Sequence, residues 1–243
     1  AMQRGGSVAD VWVVSDQPVR NETMLPSQAA PYRRLHQSAL PSRAADNLFW
    51  MGRYVERAEG LIRLLRAWHV RLAESGHADT PLLKHATEYP GFFGADPARK
   101  VTKDLRTAIA AATSSASQVR DRFSMDGWTA LNELAESARL ELSNIAPGYA
   151  TARSLGLLLR QITGFSGLVH DNMYRFEGWR FLSLGRSLER AGMLAGMLAW
   201  FADDAAPEGA FDFAVEVGDS VLTHRRLYAV ASSRATVVDL LGC

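Results

Sequence analysis

The pattern of apolar and polar residues changes twice along the chain. In the first 15 residues, AMQRGGSVADVWVVS, a glycine-containing turn precedes a β-branched and aromatic run, the pattern of a short strand. A lone strand leaves its backbone groups unpaired, and no matching strand pattern follows. Residues 1–15 are therefore expected to be the carboxyl-terminal remnant of another domain. Residues 16–40 hold Pro18, Pro26 and Pro31 among polar side chains and read as a linker. From residue 41 the spacing becomes helical. Ser42 is placed to cap a helix running to about Glu74. Further helices are expected over about 102–122, 126–144, 151–173 and 177–201, with a last one from about Asp212 weakened by Gly218. Their breaks are PGFFGADP from Pro90, APGYA from Ala146 and DDAAPEG from Asp203. About six helices with short breaks predict an all-α fold, an antiparallel helical bundle over 41–243 preceded by a short strand and a linker.

Two of these helices carry the same cluster. GRYVERA begins at Gly52 and GRSLERA at Gly185, 133 positions later. Aligned at that offset, Met51/Leu184, Val55/Leu188, Ala58/Ala191, Ile62/Ala195 and Leu65/Leu198 are apolar in both copies. Their 3-4-3-4 spacing is a core-facing helix stripe. A glycine inside a helix costs about 1 kcal/mol against alanine, so Gly52 and Gly185 imply close neighbours at equivalent points. Beside each stripe stand Arg53, Glu56 and Arg57, and Arg186, Glu189 and Arg190. The spacing brings Glu56 within reach of Arg53 along the helix. Two readings stay open. In one, the clusters form a salt-bridge network that fixes bundle register, a role suited to the arginine fork. In the other, they bind an anionic or zwitterionic ligand, with Glu56 or Glu189 as acid or base and Trp50, Tyr54 and Trp179 lining the cleft.

Composition narrows the classes. A net charge of +1 over 243 residues gives no field that would draw the chain onto nucleic acid or an anionic membrane. No apolar tract reaches the length of a bilayer span. The single cysteine, Cys243, allows no intrachain disulfide, which suits a reducing, cytoplasmic setting. Glu74 and His77 alone have the Glu-x-x-His order of a di-metal bundle, and Gly76 interrupts them; no metal site is expected. No P-loop or nucleophile elbow occurs.

Three ordered blocks, SRAADNLFWMGRYVERAE from Ser42, VRDRFSMDGWTALNEL from Val119 and GLVHDNMYRFEGWRFLSLGRSLERA from Gly167, resemble the alpha-E family, a helical domain named for its Glu-Arg motif. Phe176 stands where family members often have an acidic residue. Residues 41–243 thus resemble an alpha-E bundle, one whose end at VVDLLGC looks truncated. The segment QRGGSVADVWVVSDQPV from Gln3 resembles the end of a circularly permuted ATP-grasp ligase domain. Together these resemblances imply a helical accessory or substrate-binding domain of an ATP-dependent carboxylate–amine ligase system. Its partner would be a fused or neighbouring ATP-grasp domain, and ATP and magnesium would bind only there. Arg53, Arg57, Arg186 and Arg190 would grip a carboxylate or phosphate of a peptide-like substrate, and Glu56 and Glu189 would orient an amine. Two alternatives remain: a docking module whose Glu-Arg pairs are structural, and an independent enzyme with Glu56 or Glu189 as general base. A truncated bundle would also expose apolar surface, which predicts a homodimer.

Overall fold

The computed structural model describes residues 11, 12, 14–18, 39–93, 96, 97, 102–142, 145–229 and 231–242. The chain forms two units, residues 1–39 and 40–243. Of the expected N-terminal strand, residues 11, 12, 14 and 15 are described and none is in a strand. Arg4 to Ser7 lie outside the described residues. Every regular element among the described residues is helical.

The second unit is built on one long helix, α1 (Ser42–Ser75). Pro41, not Ser42, holds its capping position, and Ser42 is the first helical residue. The Pro41 carbonyl accepts from the amides of Ala44 and Ala45. At the other end Gly76 turns left-handed (φ 76°) and its amide closes on the Leu72 carbonyl, the usual glycine stop. The α2 helix (Pro81–Thr87), absent from the sequence expectation, is started by Thr80, whose hydroxyl accepts from the Leu83 amide. The α3 helix is Thr102–Ser117. The expected continuation to Arg122 is a separate 3₁₀ turn, Arg120–Arg122. The α4 helix (Met125–Glu141) is capped by Ser124, α5 is Tyr149–Asn172 and α6 is Glu177–Phe201. The expected last helix is three pieces, α7 (Ala210–Val217), α8 (Val221–Leu227) and α9 (Arg234–Gly242). The first break falls at Asp219, whose φ of 53° is a conformation no α-helix contains.

Helices α1, α3, α4 and α5 close a four-helix ring. Gly148 and Gly156 of the α5 end lie beside Ala73 and Arg66 of α1, so these two run antiparallel. Gln161 bonds Ser137 and Ser154 bonds Glu141, which makes α4 and α5 antiparallel as well. The expected stripe on α1, Met51, Val55, Ala58, Ile62 and Leu65, is wholly buried, and Leu48, Leu61, Leu64 and Trp68 bury its flanks too. A helix apolar on nearly every side must be surrounded. Here α3, α5, α6 and α7 do the surrounding.

The α6 helix runs parallel to α1, a direction the repeat alone does not assign. Leu48 meets Gly178, Gly52 meets Leu182 and Arg186, and Gly60 meets Met193, so the contacts advance together along both helices. In one respect α6 departs from expectation: its predicted stripe is not the buried one. Leu184 is 57% and Leu188 52% exposed; Ala191 and Ala195 are exposed and Leu198 is half-buried. The buried face is Leu182, Gly185, Glu189, Met197 and Phe201, with half-buried Met193 between Glu189 and Met197, and it packs along Leu48, Gly52, Glu56 and Gly60 of α1 as ridge against groove. The short helices then cross over. Trp200 of α6 donates to the His85 carbonyl of α2, and Glu216 of α7 pairs with Arg71 of α1.

The glycines set the approach distance. A Cβ on Gly52 would stand 2.2 Å from the Leu182 carbonyl oxygen, and one on Gly185 2.1 Å from the Phe49 carbonyl oxygen. Both obstacles are backbone, so neither can swing aside. Gly52→Ala or Gly185→Ala is therefore expected to cost at least about 2 kcal/mol in urea unfolding, whereas Gly192→Ala, which meets nothing within 4 Å, should stabilise by up to about 1 kcal/mol.

His69 supplies a second prediction. It is buried on α1, and its Nδ1 accepts the Gly148 amide, so the neutral ring is the one that fits. Burial lowers its pKa from 6.5 to about 4. The folded state then binds its proton less readily than the unfolded chain. Stability from His69 is complete above pH 6.5 and is lost as pH falls toward 4, about 3 kcal/mol in all. Denaturant titrations at pH 7 and pH 4.5 should show a smaller acid loss for His69→Gln than for the parent.

Candidate functional site

The two Glu-Arg clusters meet across the α1–α6 contact. Glu189 of α6 sits between two arginines of α1: Arg53 Nε donates to its Oε2 at 2.7 Å and Arg57 Nε to its Oε1 at 2.6 Å. Glu56 of α1 sits in the same way between two arginines of α6. Arg186 Nε donates to its Oε2 at 3.1 Å and Arg190 Nε to its Oε1 at 2.5 Å. The expected bond between Arg53 and Glu56 along one helix is replaced by this exchange. The reason is geometric. Arginines one turn apart on a parallel neighbour bracket a carboxylate from above and below, so both of its oxygens are used at once.

Burial gives these bonds their weight. The Glu189 and Glu56 side chains are 4% and 7% exposed, whereas Arg53 and Arg57 are each 26% exposed. The carboxylates lie in the seam and the guanidinium groups reach outward from it. For Glu189, burial by itself would raise the pKa, but hydrogen bonds from Arg57 and Arg53 outweigh it and hold the carboxyl below the usual range. A lowered folded pKa means that ionised Glu189 stabilises the fold at neutral pH. That stability disappears as pH falls through the lowered value.

The surroundings of the two clusters differ. On the Arg53–Arg57 side, Trp50 stacks on Tyr54 with ring centres 5.6 Å apart. Arg53 lies over Trp50 at 5.2 Å, and Arg57 lies over Tyr54 at 5.8 Å and Phe93 at 5.0 Å. Such cation–π contacts hold the arginines in place. Trp50 and Tyr54 thus stand beside the cluster, as the sequence suggested. Trp179 instead pairs with Arg175. On the other side the sequence reading passed over Glu59 and Arg63. Arg63 Nη2 donates to Glu59 Oε1 at 2.9 Å, while Glu59 Oε2 is 3.6 Å from Arg186 Nη2. Beneath these residues lies a cavity of about 440 Å³ lined also by Gly60, Tyr89, Met193 and Met197. The signal for Glu59 was present as a mismatch. At the 133-residue offset Glu59 and Arg63 correspond to Gly192 and Gly196, the point where the two copies part.

Among the described residues no group of three or more histidine, aspartate, glutamate or cysteine side chains could hold a metal ion. Glu74 is taken up by Arg71 instead. No helix among the described residues is long and apolar enough to cross a membrane.

A double-mutant cycle separates exchange between helices from pairing within one. Arg53 and Glu189 should couple by about 1–3 kcal/mol, and Arg53 and Glu56 by less than about 0.5 kcal/mol. Glu189→Gln alone should cost about 2–3 kcal/mol, because it leaves half-buried Arg53 and Arg57 without their anion.

Comparison with known proteins gives the same emphasis to this pair. The model of the family Alpha-E, described as a predicted alpha-helical domain with a conserved ER motif, matches residues 40–242. Over 278 aligned positions the chain is 25% identical to Uncharacterized protein Rv2567 of Mycobacterium tuberculosis, covering 96% of this chain. It is equally similar to Uncharacterized protein Mb2597 of Mycobacterium bovis. The chain spans 31% of the length of each of these relatives. No solved structure matches it. A family match over residues 40–242, with the Glu-Arg motif lying in the seam between α1 and α6, places the chain in the Alpha-E family.

Proposed function

We propose that the chain is a helical docking domain of a larger protein and that its Glu-Arg motif is an architectural lock. The observation that carries this reading is the engagement of Glu56 and Glu189. Each buried carboxylate has both oxygens held by arginines of the opposite helix. A general base needs a pKa near the working pH. Glu189 is held between two arginines and its pKa is lowered, which argues against the independent enzyme.

The open stripe on α6 supports docking. Residues 51–65 and 184–198 correspond at the repeat offset, and α7 and α9 fall close to where a second copy of α2 and α3 would begin. This supports reading the chain as a duplicated unit. The stripe on α1 is covered by α3 and α5. Its counterpart on α6 is exposed at Leu184 and Leu188. The relatives are more than three times as long as the part this chain matches, so the rest of the larger protein is the occupant we assign to that face. The resemblance of residues 3–19 makes an ATP-grasp ligase domain the partner, fused or neighbouring, with ATP and magnesium held there. The peptide-like substrate of such a ligase has a surface to meet here as well. Arg53, Arg57 and Arg190 use Nε for the lock, which leaves their terminal amino groups for a carboxylate or phosphate.

In the longer protein, Leu184→Glu combined with Leu188→Glu should leave the melting temperature of this bundle within a degree or two. The same change should reduce association with the ligase domain, read by sedimentation of separately made parts, at least tenfold. Association that survives the double change would remove the docking reading. Loss of ligase turnover in Glu189→Gln at unchanged stability would return that residue to catalysis.

A further inference from the structure

The lock uses both oxygens of Glu56 and of Glu189, but Glu59, one turn from Glu56, is left with an oxygen to spare. Glu59 is 4% exposed. Its Oε1 takes Arg63 twice, from Nε at 3.3 Å and Nη2 at 2.9 Å. Its Oε2 is buried and has no hydrogen-bond partner; the nearest cation, Arg186 Nη2, is 3.6 Å away, beyond bonding distance. A buried carboxylate oxygen without a donor is costly. Nothing in the lock requires it, since the corresponding position on α6 is Gly192.

Glu59 lines the 440 Å³ cavity, a volume in the range of small-molecule sites. Arg190, 53% exposed, and Asp219, 73% exposed, also line it and bring it to the surface. The opposite wall is apolar, with Met193, Met197, Leu240 and Leu241; methionine adapts its shape to varied contents. Both signs are present: Glu56, Glu59 and Asp219 line the cavity with Arg63 and Arg190, and Arg186, outside the lining, pairs with Glu56. Such a site does not select an ion of one sign. It has one unmet acceptor, Glu59 Oε2, and unused donors on Arg190, which meets Glu56 through Nε.

We infer that this cavity binds a small zwitterion of the α-amino-acid type with an apolar side chain. Its ammonium donates to Glu59 Oε2 once the carboxylate, whose Oε2 is enclosed in the unliganded chain, turns into the cavity; its carboxylate accepts from the terminal amino groups of Arg190, and its side chain lies against Met193 and Met197. The inference rests on the lock reading, because Glu56 is available to a ligand only if the lock fails.

Calorimetric titration of the whole chain with three probes tests it. Norleucine has both charges, hexanoate lacks the amine and pentylamine lacks the carboxylate. Norleucine should bind one to one, with hexanoate and pentylamine each at least tenfold weaker. Glu59→Gln should weaken norleucine about tenfold and leave hexanoate unchanged. Leu241→Trp, which fills the cavity without touching the charges, should abolish binding of all three and covers the case in which Glu59→Gln does not fold. Equal affinity for norleucine and hexanoate, or no heat from norleucine at millimolar concentration, would overturn the inference. Glu189→Gln, on the far side of the seam, tells the two readings apart. If it destabilises the chain but keeps norleucine affinity, the lock and the site both stand. If it leaves stability unchanged, the lock fails whatever the titration shows.

Discussion

Everything in this bundle depends on how closely α1 and α6 approach. At Gly52 and Gly185 a single added carbon would stand about 2 Å from a carbonyl oxygen of the other helix. At that separation the arginines of each helix put their Nε against a carboxylate of the other, and both oxygens of Glu56 and Glu189 are engaged. Glycine in a helix is unfavourable by about 1 kcal/mol, and a buried carboxylate costs far more unless it is fully bonded. Each feature needs the other. The glycines make the ion pairs possible, and the ion pairs hold together a contact that has little apolar side chain at its centre.

Much of this was legible in the sequence, and the failures have physical causes. The span of α6 matches expectation and α1 ends one residue beyond it, because helical spacing and Gly76 mark the limits. The need for close neighbours at Gly52 and Gly185 was also legible. The direction of the α1–α6 pair was not, because three other long helices intervene between them and parity along a chain says little once the order of packing is unknown. The spacing of Leu184, Leu188, Ala191, Ala195 and Leu198 reads as a core face. Spacing reveals an amphipathic helix but cannot say which face has a cover. On α6 the covered face is the one with glycine, glutamate and methionine, which a hydropathy pattern scores as mixed.

The same comparison bears on function. A duplicated motif draws attention to what the copies share, and in this protein the shared residues serve the fold. Chemistry outside the fold is better sought where the copies differ: Glu59 and Arg63 against Gly192 and Gly196, and the aromatic neighbours Trp50 and Tyr54 against Ser183 and Ser187. The first difference puts a carboxylate with a buried, unpaired oxygen into the wall of a cavity. The second clamps two arginines by stacking. The docking and ligand-holding roles we propose call for these two properties, a rigid seam and an asymmetric flank.

The parallel course of α1 and α6 underlies all of these statements, and pulsed electron resonance between spin labels measures it directly. Exposed Asp46 and Arg180 lie near the starts of the two helices, and exposed Ala199 near the end of α6. With Cys243→Ser as background, labels at 46 and 180 should lie close together. Labels at 46 and 199 should lie farther apart by roughly 20 Å or more, since 19 residues of helix rise about 28 Å. The reverse order, with 46 nearer to 199 than to 180, would mean an antiparallel pair and would contradict the lock.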